Sequence, residues 1–139
     1  MHYSCKLKAN GQGGYVAFFP DLPDALTEGA TREEAIANAT DALEVALLGR
    51  MKDGEDLPTP TSPKGGIAIY VPAQSAAKLG LYTAFRASGL TQSALARKIN
   101  KDEAEIRRML DPYHATKLPA LDEALLALGM RLVIAVKAA

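Results

Sequence analysis

The run LTQSALARKINKDEAEIRRML, residues 90–110, constrains the fold more than any other part of this chain. Thr91 is placed to cap a first helix, because its hydroxyl can accept a hydrogen bond from a free backbone N–H of the first turn. Leu95 and Ile99 recur four residues apart and therefore share one helical face. Asn100 tolerates the left-handed conformation that a tight turn requires. The pattern predicts a helix that ends in a tight turn.

A second predicted helix follows this turn and combines an inward apolar face with an outward polar one. Asp102 can cap it, and Ile106 with Met109 or Leu110 faces inward. The outward residues are Glu103, Ala104, Arg107 and Arg108. Arginines and short polar side chains at an exposed helix edge suit the major groove, so the run predicts a helix-turn-helix unit that binds DNA. The alternative is a helical hairpin with a solvated charged face.

The predicted DNA contacts fall into two groups. Contacts that position the protein on the DNA backbone are expected from Gln92, Ser93 and Arg97, and a further phosphate contact from Lys117. Arginine pairs with guanine and glutamate can accept from cytosine, which favours base contacts from the second helix. The residues expected at or near base edges are Lys101, Glu103, Arg107 and Arg108. The alternative for each of these charged residues is that it lies on the solvated surface and makes no contact with DNA.

Composition limits the class of protein. The 139 residues suffice for one medium domain or two small ones, and 48% hydrophobic residues exclude a disordered chain. No apolar run has the length of a bilayer-spanning helix, and the N-terminus lacks a signal-peptide pattern. Cys5 is the only cysteine, which rules out an internal disulfide. We expect a cytoplasmic protein with no membrane partner.

The formal net charge of zero conceals an uneven distribution. Residues 1–60 contain five lysines and arginines against ten aspartates and glutamates, a balance of −5. Because the chain has 16 of each sign, the remaining residues hold 11 basic and 6 acidic side chains, a balance of +5. The basic half suits nucleic acid and the acidic half suits a basic protein, so two kinds of partner are predicted.

The chain is predicted to have an α+β fold in two domains, residues 1–72 and 73–139. The first is a β-β-β-α-β sheet domain with strands His2–Lys8, Tyr15–Phe19, Ala25–Glu28 and Ile67–Val71, a helix from Arg32 to about Met51, and a loop over Asp53–Gly66. Thr31 begins the T-R-E-E capping box of that helix. The second is helical, with a helix over Ala73–Ser88, the two helices above, a connector Asp111–Lys117 and a last helix Leu118–Leu128.

The sequence MRLVIAV, Met130–Val136, predicts a final strand. A single strand on a helical domain has no partner there, and unpaired buried backbone groups are costly. We therefore expect it to pair with the same strand of a second subunit, giving a homodimer that could assemble further into a tetramer. The alternative is that it joins the N-terminal sheet. The residues expected to form the dimer are Met130, Leu132, Val133, Ile134 and Val136.

The order of these elements is similar to that of one known family. The matching pieces are GGYVAFFPDLPDALTEGATREEAIANATDAL, IAIYVP, LTQSALARKINKDEAEIRRML, and HATK followed by a last helix and strand. With these in place, nearly the whole chain resembles the HicB antitoxin family, in its helix-turn-helix branch. One departure is Asn100, where the helix-turn-helix of phage-repressor-type regulators most often has glycine.

The resemblance implies a fold and a function. HicB proteins are antitoxins of type II toxin–antitoxin pairs, and their N-terminal domain is a partial RNase H-like fold. That domain covers the active site of the HicA toxin, a small basic ribonuclease, and the C-terminal domain binds the operator and represses the operon. The negative charge of residues 1–60 agrees with this function, because acidic side chains can mimic RNA phosphates for a basic toxin. The predicted toxin contacts are the carboxylates of Asp21, Asp24, Glu28, Glu33 and Glu34, with Tyr15 or Phe19 as apolar anchors.

An RNase H-like fold raises the question of a metal nuclease, because such enzymes hold divalent cations with clustered carboxylates. The strands His2–Lys8 and Ile67–Val71 contain no carboxylate, and His2 and His114 lack metal-ligand spacing. The sequence therefore predicts no catalytic residue, metal or cofactor.

Three functions are considered, and the antitoxin is the first of them. The second is a stand-alone repressor whose N-terminal domain senses a small molecule, and the third is a nuclease.

Overall fold

The computed structural model describes residues 1–61 and 64–139, and it has the predicted α+β fold. The chain divides into two compact units, Met1–Pro72 and Ala73–Ala139, which we call the N-terminal and C-terminal units. Within the described ranges, no helix combines the length and apolar character needed to cross a membrane.

The N-terminal unit is a four-stranded antiparallel sheet with one long helix. Its elements follow the predicted β-β-β-α-β order, with β1 His2–Ala9, β2 Tyr15–Phe18, β3 Leu26–Gly29, α1 Arg32–Lys52 and β4 Ile67–Tyr70. The sheet order is β3-β2-β1-β4, so β1 and β2 are central. The segment predicted as a loop before β4 includes Ser62 and Pro63, which lie outside the described residues. A likeness to RNase H stays a prediction.

Helix α1 begins at the predicted position because its cap forms. Thr31 Oγ1 accepts a hydrogen bond from the Glu34 backbone N–H at 3.1 Å. The helix approaches β3 closely, since a Cβ added at Gly29 would lie 2.3 Å from the backbone nitrogen of Ala35, a distance that only glycine permits. The buried face of α1 consists of Ala35, Ala39, Leu43, Leu47, Leu48 and Met51.

The two faces of the sheet differ in what covers them. Side chains alternate along each strand, and those on the side of α1, including Tyr3, Cys5, Ala17 and Ile69, are buried. The alternate residues form the opposite side, on which α1 does not pack. We call this side the open face, and its residues are His2, Ser4, Lys6, Lys8, Val16, Phe18, Leu26, Glu28, Ala68 and Tyr70.

Four helices build the C-terminal unit: α2 Ala73–Ser88, α3 Gln92–Lys98, α4 Glu103–Leu110 and α5 Leu118–Ala127. Helix α2 begins and ends at the predicted residues, and Gly89 follows it with a φ of 71°. All four helices contribute to one buried apolar cluster, which contains Ala77, Leu81, Leu95, Ala96, Ile106, Met109, Leu121, Ala124 and Leu125.

The predicted final strand, Met130–Val136, is not a strand in the single chain. Among the described residues the sheet of the N-terminal unit contains β1 to β4 alone. The Leu132 N–H donates to Asp122 Oδ1 at 3.2 Å, and its side chain packs on the helical core of its own chain. The residues Val133, Ile134 and Val136 are exposed. A strand forms only beside a neighbouring strand, which a second subunit would supply. This pairing stays a prediction.

Candidate DNA and partner interfaces

Helices α3 and α4 form the predicted pair, and each begins with the predicted cap. Thr91 Oγ1 and Asp102 Oδ1 each accept a hydrogen bond at 3.0 Å from the backbone N–H three residues further on. Each cap satisfies a donor that the first helical turn leaves free. Leu95 of α3 and Ile106 of α4 are fully buried in the same apolar cluster, which holds the two helices together.

The turn between the helices depends on Asn100, whose φ is 55°. The Lys101 N–H donates to the carbonyl of Ala96 at 2.9 Å, and the Asn100 N–H donates to that of Arg97 at 3.3 Å. This is the Schellman pattern of a helix end, which requires a left-handed residue at this position. Asparagine adopts that conformation more readily than other non-glycine residues, which accounts for the departure from glycine here.

Two substitutions at Asn100 should separate backbone conformation from side-chain effects. We expect Asn100→Gly to change the free energy of unfolding by less than about 1 kcal/mol, because glycine adopts positive φ readily. Asn100→Val should lower it by about 1–2 kcal/mol, because a β-branched residue is strained there. Urea unfolding followed by circular dichroism measures both values. Equal losses from the two variants would contradict this account of the turn.

Six of the eight residues predicted to contact DNA are exposed, and two are half-buried. The side chains of Ile106 and Met109 are buried in α4, whereas Arg107 and Arg108 of its last turn are exposed, so the helix has an apolar side and a basic side. The other exposed residues are Arg97, Lys101, Glu103 and Lys117, and the half-buried ones are Gln92 and Ser93 in the first turn of α3. Their contact with DNA stays a prediction.

Sequence reasoning missed one functional candidate beside α4. Lys78 lies on the buried side of α2, between Ala77 and Leu79, and its ammonium contacts the carbonyls of Arg108 and Asp111 at the C-terminal end of α4. A lysine within an apolar helical stripe was the available signal, because such a side chain needs oxygen partners when it is buried.

Two of the predicted toxin contacts take part in bonds within the N-terminal unit. Thr61 donates from its backbone N–H and from its hydroxyl to the Asp21 carboxylate, each at 2.7 Å, and these bonds lower the pKa of Asp21. Asp24 forms an ion pair with Arg50 at 3.0 Å, and this contact lowers the pKa of Asp24. Reversing either charge would also break a bond inside the unit, so neither residue is a selective probe of toxin binding.

The other predicted toxin contacts differ in accessibility. Glu28, Glu33 and Glu34 are exposed, and Tyr15 is half-buried on the α1 side of the sheet. Phe19 is 1% exposed, so the prediction that it anchors a partner at the surface is wrong. The alternation that buries Ala17 also directs Phe19 inward and leaves its neighbour Phe18 on the open face.

The β2–β3 half of the open face presents apolar surface that sequence reasoning missed. Leu26 is 63% exposed and pairs in register with Phe18, while Val16 pairs with Glu28 at the same edge. Exposed apolar surface of this kind commonly marks a protein interaction site. The opposite half contains Tyr70, whose ring centroid lies 4.9 Å from that of His2, together with two lysines of β1. The apolar and acidic surface is therefore concentrated on β2 and β3.

In the part of the chain that the structure describes, no group of three or more His, Cys, Asp and Glu side chains could hold a metal ion.

Cys5 is buried, and this burial raises the pKa of its thiol. His114 Nδ1 lies 3.2 Å from Thr116 Oγ1, within hydrogen-bonding distance.

Comparisons with known proteins give one family along nearly the whole chain. The family model described as "HicB_like antitoxin of bacterial toxin-antitoxin system" matches residues 2–80. Antitoxin HicB of Escherichia coli (strain K12) is 42% identical over 134 residues, covering 95% of this chain and 96% of the relative. Antitoxin HicB 1 of Photorhabdus laumondii is 37% identical over 137 residues, covering 99% and 88%.

Proposed function

This chain belongs to the family of HicB-like antitoxins of bacterial toxin–antitoxin systems, and from that premise we propose that it occludes a HicA-type toxin and represses its own operon. The N-terminal unit would bind the toxin, an mRNA-cleaving ribonuclease. The C-terminal unit would bind operator DNA and join two subunits into a dimer.

The observation that supports this proposal most strongly is the extent of the similarity. Relatives named as HicB antitoxins align with 95% and 99% of the chain, rather than with one motif. A stand-alone repressor with an unrelated sensor domain would be expected to match in its DNA-binding half alone. The antitoxin family model instead matches residues 2–80, which include all of the N-terminal unit except Met1, and this favours the antitoxin over the sensor.

The toxin-binding surface that we propose is the β2–β3 half of the open face with the acidic residues beside it. Leu26, Phe18 and Val16 would supply apolar contact in place of the buried Phe19. Glu28 lies on the same face, and a basic toxin would be attracted to its charge. Further predicted contacts lie outside the open face, and they are Tyr15, Asp21, Asp24, Glu33 and Glu34.

The operator-binding surface that we propose is the basic side of α4 with the first turn of α3. Lys101, Glu103, Arg107 and Arg108 would lie at base edges, and Gln92, Ser93, Arg97 and Lys117 would contact the DNA backbone. Two such units, joined through Met130–Val136, would read two half-sites about one helical turn apart.

Loss of one base contact is the direct test of the operator-binding part. We expect Arg107→Ala to cost about 1–3 kcal/mol in operator binding and to relax specificity at one position. Fluorescence anisotropy measures this on duplex DNA from upstream of the protein's own operon, against a scrambled duplex, over a salt series. Arg32→Ala on α1 removes the same charge from the N-terminal unit and should leave binding unchanged. Wild-type protein without preference for its own upstream DNA would contradict the proposal.

A further inference from the structure

Lys78 is the one charged side chain that is buried within the described residues, with 2% exposure. Its Nζ lies 2.7 Å from the Asp111 carbonyl oxygen, 2.5 Å from that of His114 and 3.1 Å from that of Arg108. The Oγ1 atom of Thr116 lies 3.1 Å away as a fourth oxygen. Because an ammonium has three N–H groups, this oxygen cage offers a partner to every donor.

The oxygen cage replaces the hydrogen bonds to water that the Lys78 ammonium loses on burial. Burial lowers the pKa of Lys78, while the nearby charge of Asp111 acts in the opposite direction. Arg108 lies in the last turn of α4 and Asp111 is its C-cap, at the end of the helix dipole that has a partial negative charge. Lys78 therefore caps the C-terminal end of α4 from a different helix.

The same contacts fasten the connector that leads from α4 to α5. Within residues 111–117, His114 and Thr116 both accept hydrogen bonds from Lys78. Gln74, one turn earlier on α2, donates from its side-chain amide to the Thr116 carbonyl. Tyr113 is the aromatic residue of this connector, and it is 66% exposed. The contacts that α2 makes with the connector through Gln74 and Lys78 are therefore polar.

We propose that Lys78 is a positioning residue for DNA recognition, which holds the C-terminal end of α4 and the connector in one fixed arrangement. This inference rests on the proposed operator-binding function. Arg107 and Arg108 precede the connector and Lys117 ends it, so the spacing between the predicted base-edge and phosphate contacts depends on the cage. Lys78 is itself buried and makes no contact with DNA.

The test compares operator and scrambled duplexes for variants of the cage at a temperature where circular dichroism shows each variant to be folded. Lys78→Met keeps most of the side-chain length and removes the ammonium, and Thr116→Val removes one oxygen. We expect folded Lys78→Met to bind the operator about tenfold more weakly, as for loss of one good base contact, with less than about a twofold change on scrambled duplex. Thr116→Val should show a smaller loss in the same direction. Lys52→Met, an exposed lysine of α1, removes the same charge and should change neither affinity.

Hydrogen exchange without DNA gives a second readout that does not depend on the operator. Amide exchange in residues 111–117 should accelerate in Lys78→Met and Thr116→Val, while α2 and α3 keep their protection. If Lys78→Met does not fold, Thr116→Val and Gln74→Ala decide by the same two measurements. Unchanged exchange in the connector, or equal weakening on both duplexes, would overturn the inference. A wild-type protein that does not prefer its operator would overturn the proposed function, and the inference with it, whatever the exchange result.

Discussion

Ile134→Pro should halve the mass of the protein in solution and weaken operator binding by about 100-fold or more. Proline removes a backbone donor and cannot lie in the middle of a paired strand, so it should prevent pairing between subunits. Ile134 is 60% exposed in the single chain, and the subunit itself should therefore still fold. Operator affinity should fall because two linked units bind two half-sites better than one unit binds one. Light scattering and fluorescence anisotropy measure the mass and the affinity.

Ile134→Thr is the matched control for the proline variant. Threonine keeps the backbone N–H and the β-branched shape that favours a strand, so the mass should stay that of the wild type. A wild-type mass of one 14.7 kDa chain at high concentration would contradict the dimer. An operator affinity that does not change in monomeric Ile134→Pro would show that the two units bind DNA independently.

The helical pair was predictable because each of its boundaries is set by a few neighbouring residues. Thr91 and Asp102 each accept a hydrogen bond from the N–H three residues further on, and this contact needs no partner from elsewhere in the chain. Asn100 likewise forms its turn with the helix that precedes it. The same holds for Thr31 and α1, whose capping box predicts the first residue of the helix.

Other features depend on contacts between distant residues, which local patterns do not contain. Phe18 ends β2 and Phe19 follows it directly. Only the side of the strand that α1 covers decides that Phe18 faces outward and Phe19 lies in the core. The oxygens around Lys78 come from residues 30 to 38 positions further along the chain. The segment Met130–Val136 has the composition of a strand, but a strand also needs a neighbouring strand, which local sequence does not identify.

The paired substitutions Leu26→Lys and Glu28→Lys on β3 should weaken toxin binding by about 100-fold or more. Leu26 is 63% exposed on the open face, and losing a central apolar anchor of an interface typically costs about 2 kcal/mol or more. The added lysines also repel a basic toxin, which should slow association most strongly at low salt. Both residues are exposed on an edge strand, where lysine is well tolerated, so the sheet should fold normally. Biolayer interferometry with purified HicA-type toxin measures both rate constants over a salt series.

Asp41→Lys with Val45→Lys on α1 provides the matched control. Val45 is 70% exposed and Asp41 lies one turn before it, so this pair removes one exposed apolar side chain and changes the charge by the same amount. Because α1 lies on the other side of the sheet from the open face, toxin affinity should change little beyond a salt-dependent effect on association. Strong loss in this control with normal binding by the β3 variant would assign the toxin to the outer side of α1. Equal losses in both variants would mean that net charge, rather than the apolar surface of β2 and β3, determines toxin binding.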